Sequence, residues 1–463
     1  MAWVEEGCGD GGVVVGDDDG DKRSKIGYQL FPSSSFLDNL PHEVFDEILL
    51  RLPLKDIHRC KCVSKRWLNW ISSPYFVRSY IQFETTINPS PPLALFYQFD
   101  AHSPNSVDYN PNLKPNPNEL GISFTSEMPI FSQSRGFSLN FLPHPNPLSS
   151  SSAAVVTAAA DDQQQQPARG LGDHLHLLAS NNGLVLCSTS LTSHRVYYVC
   201  NPLTMQWVEL PPPLTLQKIF RFGFTTRIHV EDFKKSSFRV VRICSGNELV
   251  LVHRNTLDLE IFSSETGTWT ESFISCPNEP FFGSFCAVDY KGMLYWRFKS
   301  IFFGFDPYNP SLPHRTIDMP KGFHARNCKH AQGVCNGHLM FAQFGGYTLT
   351  IWELNDNYSS DRVEWSVVHK LWLKVQSLLS PLTVVAFHPF DRDILYLWSP
   401  GCIMEYNMRR SKKFETVCKI AHSRATKFLH HLVSLFVLPR WPTSVPALPQ
   451  SLGQRSLKVE SIK

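Results

Sequence analysis

His324, Cys328, His330, Cys335 and His338 form the densest group of metal-capable side chains in the sequence. Zinc takes thiolate and imidazole ligands in a tetrahedron, so four of these five would be chemically competent. Their spacing follows no zinc-finger template, and an alternating strand over Gly333–Phe341 would send Cys335 and His338 to opposite faces. No metal is expected there, and Cys60 and Cys62 read as packing residues. Gly7, Gly9 and Gly12 have the spacing of a dinucleotide-binding loop. That loop needs a strand before it and a helix after it, neither is legible, and Asp17–Asp19 would repel phosphate. Arg409, Arg410, Lys412 and Lys413 lie between Tyr406 and Phe414, where a solvated hairpin turn is a better reading than a nuclear address. No nucleophile elbow, P-loop or metalloprotease motif occurs, and no pair of carboxylates stands out. The expectation is a chain with no catalytic residues, no metal and no cofactor.

The elements around these residues set the scale. A chain of 463 residues has room for two to four domains at about 100–200 residues each. It is 43% hydrophobic and only 18% charged, enough apolar material for a large core. Lys and Arg exceed Asp and Glu by 44 − 41 = 3, which argues against a nucleic-acid partner. No run approaches the roughly 18 apolar residues of a membrane helix. The N-terminus offers only Val13–Val15 before three Asp, which is not a secretory signal. The 12 scattered Cys suit a reducing compartment, cytoplasmic or nuclear.

Residues 1–35 are rich in Gly, Asp and Ser and read as disordered. Residues 83–170 read as a partly disordered linker, Pro- and Asn-rich at 88–118 and Ser-, Ala- and Gln-rich at 143–169, with first strands near Leu93–Phe99 and Gly121–Leu142. From 171 to 440 short strands alternate with tight turns. Asn201 precedes Trp207 by the same six positions as Ser263 precedes Trp269, with echoes at Asp306-Pro307, Trp352–Trp365 and Asn407 before Phe414. Gly183, Gly292 and Gly337 each open an apolar strand, and Ile394–Leu397 is a further one. A recurrence near 40–60 residues points to a propeller of about five to seven blades, the alternative being an irregular β-sandwich. Trp207, Trp269 and Trp365 are expected in the packing between blades, and residues 441–463 form a C-terminal tail.

Upstream, residues 36–82 turn helical. Leu40, Val44, Phe45, Ile48, Leu49 and Leu52 recur at helical spacing, with Pro41 suited to a first turn and Pro53 ending the helix. A second helix fits Leu54–Lys61, and Ser64 caps a third that carries Trp67, Leu68 and Ile71 before Ser73-Pro74. Three short helices expose more apolar surface than they can hide, so one face must bury against something else.

Residues 37–76 resemble an F-box over nearly its whole length. The family pattern falls on Leu40, Pro41, Glu43, Ile48, Leu49, Leu52, Pro53, Val63, Ser64, Lys65 and Trp67, with Pro74 and Phe76 closing it. With the repeats, the whole is similar to plant-type F-box/kelch-repeat or F-box-associated-domain proteins. The ideal kelch blade carries a Gly-Gly doublet, which this region shows only at Gly345-Gly346. The resemblance implies an α+β chain, a small three-helix F-box followed by an all-β kelch-like propeller. It further implies a substrate receptor that meets a Skp-family adaptor and, through it, a cullin scaffold. The adaptor-binding residues would be Leu40, Pro41, Val44, Ile48, Leu49, Leu52, Pro53, Leu54, Val63 and Trp67. The target is an unidentified protein. Segments that break the repeat are the candidates for holding it: Phe282, Phe303, Phe323 and Arg326 put aromatic and basic side chains at loops or strand ends. The alternative is a ligand-binding or oxidase propeller with an incidental adaptor-binding helix cluster, which metal analysis would separate.

Overall fold

Proline and serine punctuate the N-terminal helices. The computed structural model describes residues 42–89, 91, 93–97, 121–124, 139, 141–142 and, with short breaks, 175–449. The expectations for residues 1–35 and 143–169, and for Leu40, Pro41 and Phe282, lie outside the described residues. The chain divides after Ile87 into a helical and a β unit. Helix α1 (His42–Leu50) stops short of Pro53, and α2 (Leu54–Cys60) follows that proline. Helix α3 (Lys65–Ile71) is capped by Ser64, whose Oγ accepts the Trp67 N–H at 3.2 Å. The Ser73-Pro74 pair also begins a fourth helix, α4 (Pro74–Ile87), which corrects the three-helix expectation. Proline lacks only an N–H that a first turn would not use, and Ser73 Oγ accepts the Phe76 N–H at 3.2 Å. Phe45, Leu49, Ile57, Ile71, Phe76, Val77 and Tyr80 are buried in this unit.

The β unit opens with β1 (Leu93–Tyr97) and β2 (Gly121–Phe124). Five four-stranded antiparallel meanders follow. Blade 1 is β3 (His176–Asn181), β4 (Leu184–Ser188), β5 (Tyr197–Asn201) and β6 (Gln206–Glu209). Blade 2 is β7 (Ile219–Arg227), β8 (Ser237–Cys244), β9 (Thr256–Ser263) and β10 (Thr268–Ser275). Blade 3 is β11 (Val288–Tyr290), β12 (Met293–Arg297), β13 (Ile301–Phe305) and β14 (Arg315–Asp318). Blade 4 is β15 (Lys329–Cys335), β16 (His338–Gly345), β17 (Thr348–Asp356) and β18 (Val363–Trp372). Blade 5 is β19 (Thr383–Phe387), β20 (Ile394–Ser399), β21 (Cys402–Asn407) and β22 (Phe414–Lys419). The first strands of successive blades are neighbours, so the arrangement is a propeller and not a sandwich. Strand β23 (Ser434–Val437) returns to pair with β1, and the three-stranded sheet β2-β1-β23 lies between blade 5 and blade 1.

Repeated residues make repeated turns. Asn182-Gly183, Lys291-Gly292 and Asn336-Gly337 all have positive φ, the two-residue hairpin that suits twisted strands. Gly333–Phe341 is therefore a hairpin and not one strand: Cys335 and His338 are register partners across the turn. At the far end of the third strand, Asn201 Oδ1 accepts the Leu203 N–H (2.8 Å), Asp306 Oδ1 the Tyr308 N–H (2.8 Å) and Asn407 Oδ1 the Arg409 N–H (3.1 Å). These turns lie on one face, the hairpin face. The four connections from one blade to the next lie on the other, the connector face. The chain joins the β unit on the hairpin face, where Arg440 donates to the carbonyls of Asn88 and Pro89. Residues 441–449, expected as a tail, run along blades 1 and 2: the Thr443 carbonyl accepts from buried Asn201, and Val445 and Leu448 pack on their core.

Neighbouring blades are stitched by indoles and ion pairs. Trp269 Nε1–H donates to the Pro211 carbonyl (2.8 Å), and Trp365 Nε1–H to the Asp318 carbonyl (2.7 Å), each reaching the preceding blade. Trp269 is 7% exposed, but Trp207 is 38% exposed and touches Tyr198 edge-on, so its expected burial is corrected. Among the described residues, the three-stranded sheet that precedes blade 1 has no fourth strand for Trp207 to meet. Replacing Trp269 by Ala should cost about 3–5 kcal/mol in urea unfolding, against less than about 1.5 for Trp207→Ala; equal losses would contradict this.

Arg315 of blade 3 holds Asp356 of blade 4 in two parallel bonds of 2.8 Å, and Lys291 joins at 3.6 Å. Hydrogen bonding from Arg315 first, and then the charges of Arg315 and Lys291, keep the Asp356 carboxyl below the usual carboxylate range despite its burial. The unfolded chain therefore binds the proton more readily, and the stabilisation is full above the ordinary Asp pKa and lost as pH falls through the lower folded value. Arg315→Ala should remove about 1.5–3 kcal/mol at pH 7 and flatten the acid limb of the stability curve below about pH 4. Chemical unfolding across pH would detect both.

Candidate functional site

In the helical unit the sequence stripe divides between two faces. Phe45 and Leu49 point inward, with Phe45 edge-on to Trp67 at 4.6 Å between ring centroids. Val44 and Ile48, each one residue earlier and so rotated about 100°, are 45% and 50% exposed. Val63 (58%) and Leu68 (45%) are exposed as well, and Pro53 is open to solvent. Leu52, Leu54 and Trp67 are partly buried. Leu49 is a core residue of the bundle and presents no surface, which corrects its place among the adaptor contacts. Leu68 joins the exposed set, although its i, i+3 spacing to Ile71 puts the two on one stripe in the sequence. Leu49→Ala should therefore cost about 2–5 kcal/mol of helical-unit stability, whereas Ile48→Asp should cost less than about 1. Thermal melts of both variants distinguish the two positions.

In the β unit, Phe303 is buried on β13, stacked on Phe298 at 5.3 Å and beside His314 at 5.1 Å. Every position of β13 is buried, because the strand lies inside its blade, so Phe303 cannot contact a target. Phe323 and Arg326 do lie on the connector face, in the segment joining β14 to β15. Phe323 is partly buried against His330 and Phe341, while Arg326 is exposed. The His324 N–H donates to Gln343 Oε1 at 2.7 Å and its carbonyl meets His330 Nε2 at 2.9 Å, which pins the segment to blade 4. Among the described residues, no group of three or more His, Cys, Asp or Glu side chains is placed to hold a metal.

The same face holds residues that spacing did not single out. The Phe222 carbonyl accepts the Ala287 N–H (2.9 Å), Ser284 Oγ accepts the Arg297 N–H (3.0 Å), and Gln332 Nε2 donates to the Cys286 carbonyl (3.3 Å). These bonds lie beside Arg221 near the start of β7, Arg297 at the end of β12 and His330 near the start of β15, all partly buried on the connector face. Burial, and then the charge of Arg221, hold the Arg297 guanidinium down to about 10. Burial, and then Arg297, hold His330 down to about 4, so its imidazole is neutral at pH 7. A sequence signal was there to find: no Asp or Glu occurs between Asp318 and Glu353, while Lys321, Arg326 and Lys329 do. By contrast, the cleft of about 680 Å³ between blades 4 and 5 is crossed by its own ion pairs, His369–Asp393 (2.9 Å) and Arg392–Glu353 (3.4 Å).

Family comparison agrees with both units. Residues 37–79 match the F-box domain, and residues 163–447 match the family described as F-box protein At3g26010-like, beta-propeller. The chain belongs to the F-box proteins with this β-propeller. It is 27% identical to the F-box protein At3g26010 of Arabidopsis thaliana, over 89% of this chain and 92% of that one. It is 26% identical to At4g22430 of the same plant, described as a putative F-box/kelch-repeat protein, over 90% and 95% of the two chains. Among solved structures, a complex of KlAtg21 with the coiled coil of AgAtg16 superposes with a TM-score of 0.33 at 9% identity, covering 53% of this chain and 69% of that one.

Proposed function

We propose that this F-box protein is a non-catalytic substrate-recognition subunit of a Skp–cullin–F-box ubiquitin ligase, acting in the cytosol or nucleus. The helical unit would take the Skp-family adaptor, and the propeller would hold a protein target. An F-box joined to a β-propeller implies the substrate-adaptor role in general. The observation that carries it for this chain is the exposed apolar set Val44, Ile48, Val63 and Leu68 on the F-box unit. Recruited subunits would supply the chemistry, and this chain would raise the effective concentration of target beside them.

Ile48→Asp puts a charge where a dry contact would form, a cost of several kcal/mol, so adaptor affinity should fall by more than about 100-fold. Leu40-Pro41 replaced by Ala-Ala should act in the same direction. Co-purification with a Skp-family adaptor, alongside a melt of each variant, is the test. Retained binding by both folded variants would falsify the proposal.

A further inference from the structure

We propose that a ledge on the outer strand of blade 4 binds an extended, proline-rich segment of the target polypeptide that carries Asp or Glu beside its prolines. This rests on the substrate-recognition reading above and specifies its ligand chemistry. The ledge exists because blade 4 outgrows blade 3. The strands of blade 3 have three to five residues, and those of blade 4 have seven to ten. The two blades are matched at the hairpin end, where Arg315 at the start of β14 holds Asp356. Strand β14 ends at Asp318, whose carbonyl accepts from Trp365, and β18 runs on for seven residues to Trp372. That overhang is about 23 Å long at 3.3 Å per residue. The segment joining the two blades covers only the inner part of this face: Gln343 on β16 holds the His324 N–H (2.7 Å) and the Gly322 carbonyl (3.3 Å). Register carries Gln343 to Thr350 and on to Lys370, and Gly345 to Thr348 and on to Trp372, so Lys370 and Trp372 share that face at its outer edge.

What is left open is aromatic and cationic. Trp372 is 66% exposed and Tyr347 is 58% exposed, and their rings meet at 5.7 Å between centroids. The Leu373 N–H donates to the Tyr347 carbonyl at 2.8 Å, which fixes the turn carrying Tyr347 against the end of the strand. Val367, 56% exposed, continues the apolar surface along β18. Large aromatic side chains that touch each other and still face water are the usual anchors of an interface. Lys370 is exposed between Val367 and Trp372, and Lys321 and Arg326 are exposed on the joining segment. Residues 319–326, 343–350 and 365–372, which form and border the ledge, include no Asp or Glu. A complementary partner is therefore acidic. Val368 has no register partner on β17, and such a bulge twists the edge and unsuits it to accept an added strand. A polyproline II segment needs no ladder of backbone bonds, docks on aromatic side chains and loses little entropy in doing so. Prolines on Tyr347 and Trp372, with carboxylates beside Lys370, match both the shape and the charge.

The test uses the full chain with a fluorescein-labelled Glu-Pro repeat peptide long enough to span the ledge. Controls of equal length are a Lys-Pro repeat, a Glu-Gly repeat and a single-stranded oligonucleotide. Fluorescence anisotropy should show saturable binding of the Glu-Pro peptide that weakens with salt. Trp372→Ala and Lys370→Glu should each weaken it by at least about tenfold, the scale of one lost anchor. Both side chains are exposed, so each variant should melt at the wild-type temperature, and Lys370→Glu keeps the test valid if Trp372→Ala misfolds. No binding of the Glu-Pro peptide, equal binding of the Lys-Pro or Glu-Gly repeat, a preference for the oligonucleotide, or undiminished binding by the folded variants would each overturn the inference. Adaptor co-purification is read in parallel. Adaptor binding without Glu-Pro binding sinks this inference alone, whereas Glu-Pro binding by a wild type that takes no adaptor sinks the ligase reading alone.

Discussion

Closure of the ring by β1 and β23 is the constraint on which the rest of the β unit depends. A blade is a sheet with two faces, and each can be buried only against a neighbour. Five blades in a row would leave an apolar face open at each end. The three-stranded sheet fills that gap: Leu93 pairs with Val437 and Phe96 with Ser434, and Leu95 and Leu435 pack on Ala386, Tyr396 and Ile403 of blade 5. On the other side Ser180 of blade 1 bonds Ser434 Oγ (2.8 Å) and the Leu435 carbonyl (2.9 Å). The clamp from Arg440 to the Pro89 carbonyl joins residues 351 positions apart. The entropy of closing so long a loop rises only with the logarithm of its length, so a modest set of contacts can hold it.

Polar groups within the ring fix how the blades are turned relative to each other. Buried Arg242 and Glu260 pair within blade 2, and Glu260 Oε1 also accepts the Thr215 N–H at 2.8 Å in the strand-to-strand connection from blade 1. The Arg242 guanidinium stands 5.6 Å from the Tyr197 ring and 5.5 Å from Trp269. Asp289 of blade 3 accepts from Thr225 of blade 2 (2.6 Å) and Asn181 of blade 1 (2.9 Å), so three blades meet at one carboxylate. Burial raises its pKa while those hydrogen bonds oppose the rise. Such groups add little net stability compared with apolar packing, but a slipped or rotated blade would leave them buried and unmatched.

Local chemistry was legible in the sequence and long-range pairing was not. Turn residues need only their immediate neighbours, so the six-position spacing of Asn201 and Ser263 from their tryptophans already marked two blades. Pro53 and Ser64 likewise marked helix ends. Burial depends on what lies opposite. Trp207 and Trp269 share one local pattern, yet only the latter has a preceding blade to meet. Phe303 looked like a strand-end aromatic and is the middle of a fully buried strand. Periodicity placed Val44 and Leu49 on one stripe, and only packing in the four-helix unit separates them. Arg221, Arg297 and His330 come from three blades, and no local spacing could have placed them on one face.

The two faces of the propeller also differ in how they can change over evolutionary time. Insertion of one residue at Asn182-Gly183, Lys291-Gly292 or Asn336-Gly337 would break a two-residue turn and turn a strand's buried side chains outward. A connection between blades meets no such penalty, since lengthening it costs little and alters no register. Descendants of this sequence can therefore acquire new loops on one side of an unchanged ring, and the variation should accumulate on the connector face.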